Sequence, residues 1–231
     1  MESLSRLRGK RIFHPHGVGF AGRIELTSSA EPEIPAFGNG VRFVARLSRS
    51  AGLPEWLADP CGLALRVPDA YGVGRHQDLL MVSSASAPVV RHAILPSKGF
   101  LDRPYSTLLP YRFQGKLVLI GALPIGDRPG PTLAELAGRE DASIEFDLRV
   151  ATLGGPWRRF ARLILRERVA DIEVENLDLD PTNTGGGLEL AGAINRLRGP
   201  SYRGSQAGRG VGQANKRDRA RVAANGSPPG L

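Results

Sequence analysis

Short apolar or alternating stretches recur along this chain, each bounded by turn residues. The pattern predicts strands over residues Val18–Leu26, Arg42–Leu47, Gly62–Val67, Asp78–Ser83, Lys116–Leu123, Ser143–Ala151, Ala161–Arg166 and Asp171–Leu177. Turn chemistry separates several of them, notably Gly72-Val-Gly-Arg-His76 and Gly126-Asp-Arg-Pro-Gly-Pro131. Helical periodicity is confined to two short pieces. Thr132–Gly138 reads as a helix capped by Thr132, and Leu190–Leu197 as another with Leu190, Ala193, Ile194 and Leu197 on one face. Eight strands with few helices between them predict a mainly β domain, an eight-stranded antiparallel barrel. A barrel of that size can enclose one ligand or pack one against its rim.

Composition agrees with a single globular domain and a tail. Of 231 residues, 41% are hydrophobic and 23% charged, while 29 glycines and 18 prolines favour turns over long helices. No apolar run is long enough to span a bilayer, and Met1–Lys10 is charged with no apolar stretch after it, so a cytoplasmic protein is expected. The net charge of +8 could point to nucleic acid, but its placement argues otherwise. Residues 203–231 carry Arg203, Arg209, Lys216, Arg217, Arg219 and Arg221 against Asp218 alone. Most of the excess therefore sits in the C-terminal segment, where 210–231 reads as a basic disordered tail and 1–209 as the folded domain.

Two segments nearly the whole chain apart carry the chemistry. One is Arg11-Ile-Phe-His14-Pro-His16-Gly17; the other is Arg198-Gly-Pro-Ser-Tyr202-Arg-Gly-Ser-Gln-Ala-Gly-Arg209. They supply an imidazole able to move protons near neutral pH, a phenol that could ligate iron, and guanidiniums suited to carboxylates. The other candidates offer less. No carboxylate or cysteine cluster completes a metal set with His14 and His16. His76 and His92 are expected to be exposed, Cys61 to be a buried small hydrophobe, and Gly185-Gly-Gly187 to be a turn rather than a phosphate loop.

The order of these motifs resembles the haem catalase superfamily, in particular its compact, barrel-only, peroxidase-like members. Arg11-Ile-Phe-His14-Pro-His16-Gly17 is similar to the family's distal-histidine motif, with His16 in place of a lysine. Ala45-Arg46-Leu47-Ser48 is similar to the strand that follows. Asp59-Pro60-Cys61-Gly62-Leu63-Ala64, Asp78-Leu79, Asp180-Pro-Thr-Asn183 with Gly185-Gly-Gly187, and Arg198-x-x-x-Tyr202 then continue in the family's order. The likeness spans residues 11–209 and is poorest from Pro88 to Trp157.

The resemblance implies haem b as cofactor, Tyr202 as the proximal iron ligand with Arg198 beside it, and His14 as the distal base held by Ser48. It implies Arg11, Arg46 and Arg209 as partners of the haem propionates. Two departures stand out. The family's distal asparagine is missing from Asp78-Leu-Leu-Met-Val-Ser83-Ser84-Ala-Ser86, and Gly199-Pro200 interrupts the turn between Arg198 and Tyr202. The expected activity is therefore peroxidase-type, on hydrogen peroxide or an organic peroxide with a small organic co-substrate, in a monomer or homodimer without the helical region of large catalases. The alternative is a haem-free barrel of the same fold serving as a binding module.

Overall fold

The computed structural model describes residues 16–27, 34–54, 56–88 and 90–191. Ten strands form one sheet: β1 (His16–Leu26), β2 (Arg42–Arg49), β3 (Cys61–Val67), β4 (Gln77–Ser83), β5 (Tyr105–Ser106), β6 (Tyr111–Phe113), β7 (Lys116–Ile125), β8 (Asp141–Thr152), β9 (Arg158–Val169) and β10 (Glu189–Leu190). Eight of them close a barrel in the order β1-β2-β3-β4-β5-β7-β8-β9, with β9 returning to β1, and every pairing is antiparallel. β6 and β10 extend the sheet sideways from β7.

Alternation along each strand sends one set of side chains inward. Phe20, Ala45, Leu47, Leu63, Leu65 and Leu79 meet there with Phe146, Leu148 and Leu163, all essentially without solvent contact. The wall bends at register shifts where β9 carries an extra residue, Arg166 opposite Ala21 and Gly22 of β1 and Phe160 opposite Leu148 and Arg149 of β8. Gly22 makes the first bend possible. An added Cβ would run into the backbone oxygen of Ile164 and lie 2.8 Å from the Phe43 ring.

Seven of the eight predicted strands stand, most of them a residue or more longer than predicted. The eighth does not: Asp171–Leu177 is a short helix, α2 (Asp171–Asn176), rather than a strand. Asp171 and Glu173 fall in its first turn, where the helix dipole favours acids, and the carbonyls of Glu173 and Val174 accept from the Leu177 amide. The missing barrel strand is β5. Tyr105 and Ser106 bridge β4 to β7, but two residues following a proline are too few to show alternation. The predicted helix at 190–197 is corrected at its start, since Glu189–Leu190 pairs with Tyr111–Arg112 as a strand. The rest of it, and the tail, lie outside the described residues.

The other predicted helix is present as α1 (Leu133–Ala137). Its Thr132 hydroxyl accepts from the Glu135 amide while the Glu135 carboxylate accepts from the Thr132 amide, a reciprocal cap.

Candidate functional site

The side of β1–β4 turned away from the barrel core carries three cross-strand rows. Gly17, Ser48, Gly62 and Val82 form one; Gly19, Arg46, Ala64 and Leu80 the next; Ala21, Val44, Arg66 and Asp78 the third. Most of these side chains are small, so the strands present a low surface from which Arg46 and Ser48 rise. Both are at least 95% buried, Arg46 at 5% exposure and Ser48 at 3%. Gly17 gives Arg46 its place. A Cβ there would lie 2.6 Å from the Arg46 Cζ and 2.8 Å from the Leu47 carbonyl oxygen, so the guanidinium rests on bare backbone.

One edge of this surface is already covered. α2 follows β9, which pairs with β1 up to Gly19↔Val169, and it folds back so that Val174 packs directly onto Gly19. Arg168 holds the corner, donating to the Gly19 carbonyl (3.3 Å) and to Asp171 Oδ1 (2.6 Å).

The third row is built around an ion pair whose carboxylate end is buried. Arg66 meets the carboxylate of Asp78 with two parallel bonds, Nε to Oδ1 at 2.7 Å and Nη2 to Oδ2 at 2.6 Å, and Asp78 is fully buried. Asp78 Oδ2 also accepts from the Asp180 amide and from Asn183 Nδ2, both at 2.9 Å. Arg66 Nη2 reaches the Asp178 carbonyl at 2.7 Å. Burial alone would lower the Arg66 guanidinium; the Asp78 carboxylate, with Asp178 and Asp180, together outweighs it and the net shift is upward. Two motifs a hundred residues apart, Asp78-Leu79 and Asp180-Pro-Thr-Asn183, thus form one joint. It returns the chain to the barrel, after which the Tyr71 ring packs against Gly185 and Gly186.

The serines that stand where an asparagine was expected have separate fates. Ser83 faces the core, its hydroxyl accepting from the Cys61 amide (2.9 Å) and donating to the Leu95 carbonyl (2.6 Å). Ser84 continues the register of β4, its amide donating to Pro104 O at 2.8 Å, and alternation puts it on the side of Ser48 and Val82. Its hydroxyl is buried and has no partner among the described residues. Asp59, of the Asp59-Pro60 motif, is also buried. It accepts from the amides of Ala51 and Leu53 and lies 3.7 Å from the Arg49 guanidinium.

Of the predicted site residues, Arg46 and Ser48 share one face of β2, two residues apart. His14, Arg11, Arg198, Tyr202 and Arg209 lie outside the described residues. Sequence reasoning missed the glycine floor under Arg46 and the Arg66–Asp78 pair, because both exist only through cross-strand register. Cys61 is fully buried, and burial pushes its thiol up to about 12, which makes it a packing residue rather than a nucleophile. His92 is exposed, with Nδ1 2.6 Å from the Leu108 carbonyl; His76 is half-buried and accepts from the Asp69 amide. Among the described residues no three His, Cys, Asp or Glu side chains gather as a metal set, and no helix is long and apolar enough to cross a membrane.

No protein-family model matches the sequence, and no curated protein matches it. Among solved structures the chain is similar to a bacterial catalase, with a TM-score of 0.61 at 16% identity over 90% of this chain. It spans 59% of that protein's length. At this identity the likeness is one of architecture, and the chain has a catalase-like β-barrel fold.

Proposed function

We propose that the barrel binds haem b against the outer side of β1–β4 and acts as a peroxidase-type oxidoreductase on hydrogen peroxide or an organic peroxide. The observation that carries this is the buried Arg46 and Ser48 pair standing on a surface of glycine and alanine. In donor chemistry the residues suit the group: a propionate needs a fixed guanidinium, which the buried Arg46 would provide. The Ser84 hydroxyl, without a partner among the described residues, adds a buried donor on the same side.

When bound, haem iron would supply the redox chemistry that cleaves the peroxide O–O bond. The chain's own residues would do the rest. Arg46 would fix a propionate, with Arg11 and Arg209 as its companions. Ser48 would orient the His14 ring, and His14 would take the proton from peroxide and return it to the leaving oxygen. Tyr202 would ligate the iron, with Arg198 favouring its phenolate form. A small organic co-substrate would be oxidised.

Absorption spectra of protein expressed with a haem precursor, with haem quantified as the pyridine haemochrome, test this. The expected result is a Soret band at about one haem per chain, lost or strongly shifted in Tyr202→Phe. His14→Ala should keep the band and lose peroxide turnover. Equal haem content and spectra in wild type and Tyr202→Phe would overturn the ligand assignment. A colourless protein would favour the second reading, a haem-free binding module, which the packing of Val174 onto Gly19 supports.

A further inference from the structure

Loops over a barrel end are ordinarily polar, because their side chains stand in water. The connection from β2 to β3 is not. Leu53, Pro54, Trp56, Leu57 and Ala58 are all exposed, Trp56 at 72% and the two leucines at 41% and 37%. Single exposed apolar residues are common on a soluble protein, but a run of this density forms a patch. Between Arg49 and Asp59 the sequence holds one ionisable residue, Glu55.

The loop is held in this shape from beneath. The Leu57 amide donates to the Pro54 carbonyl at 2.9 Å, closing a turn with Trp56 near its apex. Arg49, 2% exposed, donates from Nη2 to the Leu57 carbonyl at 2.6 Å. Asp59, fully buried, accepts from the Ala51 amide at 3.0 Å and from the Leu53 amide at 3.2 Å. The Asp59 backbone pairs in both directions with Ser97, at 3.1 and 3.0 Å, which sets the exposed Lys98 opposite Ala58. Two buried charged side chains thus hold an apolar tip in water, so little further ordering is lost when the tip is covered.

We infer that this tip is a wedge for a lipid surface, placing Leu53, Trp56 and Leu57 at the boundary between headgroups and acyl chains of an anionic bilayer. Size separates this occupant from a protein. A stable protein interface buries roughly 800 Å² on each partner. One partly exposed loop supplies only a fraction of that, whereas a bilayer needs no matching surface. Tryptophan suits the boundary, with an apolar ring and one N–H that stays wet. Charge selects the headgroup: Glu55 and Lys98 cancel in number at the tip, and the chain's net charge of +8 supplies the attraction to anionic lipid. The assignment does not rest on the haem reading.

The test sediments the full-length protein with phosphatidylcholine vesicles, with and without phosphatidylserine, and reads tryptophan emission. Trp157 is the other tryptophan and remains in Trp56→Ser as the background. Expected is binding to the phosphatidylserine vesicles that weakens with salt and is weaker on phosphatidylcholine alone. Emission should shift to the blue and be quenched by lipid brominated in its acyl chains. Trp56→Ser and, independently, Leu53→Ser with Leu57→Ser should each bind roughly tenfold more weakly or less. The melting temperature of Trp56→Ser should stay within a few degrees of wild type, because that side chain packs little. No binding to either vesicle, equal binding by wild type and both variants, or binding without the blue shift and quenching would overturn the assignment. So would a Trp56 emission already blue-shifted without lipid, which would give the tip to a second copy if it depended on protein concentration and to a segment of this chain if it did not.

Discussion

Removing the Asp78 carboxylate should destabilise the barrel more than any exposed charge change could. Asp78→Ala takes away both acceptor oxygens of the pair and leaves the Arg66 guanidinium, with 14% side-chain exposure, bonded to the Asp178 carbonyl and in the weaker fields of the Asp178 and Asp180 carboxylates. Breaking a buried pair from one side costs about 3–5 kcal/mol, because the remaining charge stays desolvated. The Asp180 amide and Asn183 Nδ2 lose their acceptor at the same time. Because Arg66 is partly exposed and keeps the Asp178 carbonyl, the loss falls at the low end, about 3 kcal/mol, still a large fraction of the roughly 5–15 kcal/mol that a domain possesses. Urea denaturation followed by circular dichroism measures the loss, and hydrogen exchange at the Asp180 amide locates it. Replacing both partners, Arg66→Met with Asp78→Leu, should recover much of the stability, since the desolvated charge is then gone. A loss below about 1 kcal/mol in Asp78→Ala would refute the reasoning, as would a double variant no better than the single one.

Gly17→Val should lower stability by about 1–3 kcal/mol, since its Cβ would meet the Arg46 guanidinium and the Leu47 carbonyl oxygen. Thermal melts read this, and under the haem proposal the same variant should bind less haem because Arg46 is displaced. Cys61 should make the protein lose stability in alkali. Its thiol rises from 9.0 to about 12 through burial, so the folded chain holds a proton that the unfolded chain releases. That contribution is complete below about pH 9 and is lost as pH rises towards 12, up to about 4 kcal/mol. Tyr105, also pushed well above its usual value by burial, adds to the decline, so the test is a difference: urea midpoints at pH 8 and 10.5 should fall less in Cys61→Ala than in wild type.

Alternation made most of the barrel legible. β2, β3 and β4 each place apolar residues at every second position, and those residues form the core. What misled was Asp171–Leu177, where apolar residues at 172 and 174 imitate a strand while 174 and 177 suit a helix turn. β5 was invisible because its two residues are strand by virtue of their neighbours, not of their own pattern. The site was legible in part: Arg46 and Ser48 could be named from a motif. That Gly17 lies under one guanidinium, and that Asp78 joins β4 to Asn183, follows only from register and return of the chain.

The seam between β1 and β9 bears on how such a chain is made. These strands are hydrogen-bonded neighbours from Gly19↔Val169 to Leu26↔Ala161, yet nearly the whole described sequence lies between them. During synthesis β1 to β4 can pair as each emerges, but β1 keeps an open edge until β9 has left the ribosome. Over that interval its backbone donors and acceptors are a template for any other strand, including that of a neighbouring nascent copy. The register shift between Ala21 and Gly22 comes from an extra residue in β9, Arg166, so the waiting edge of β1 is itself regular, as its unbroken pairing with β2 shows. Protection against such mispairing must come from the arrival of β9.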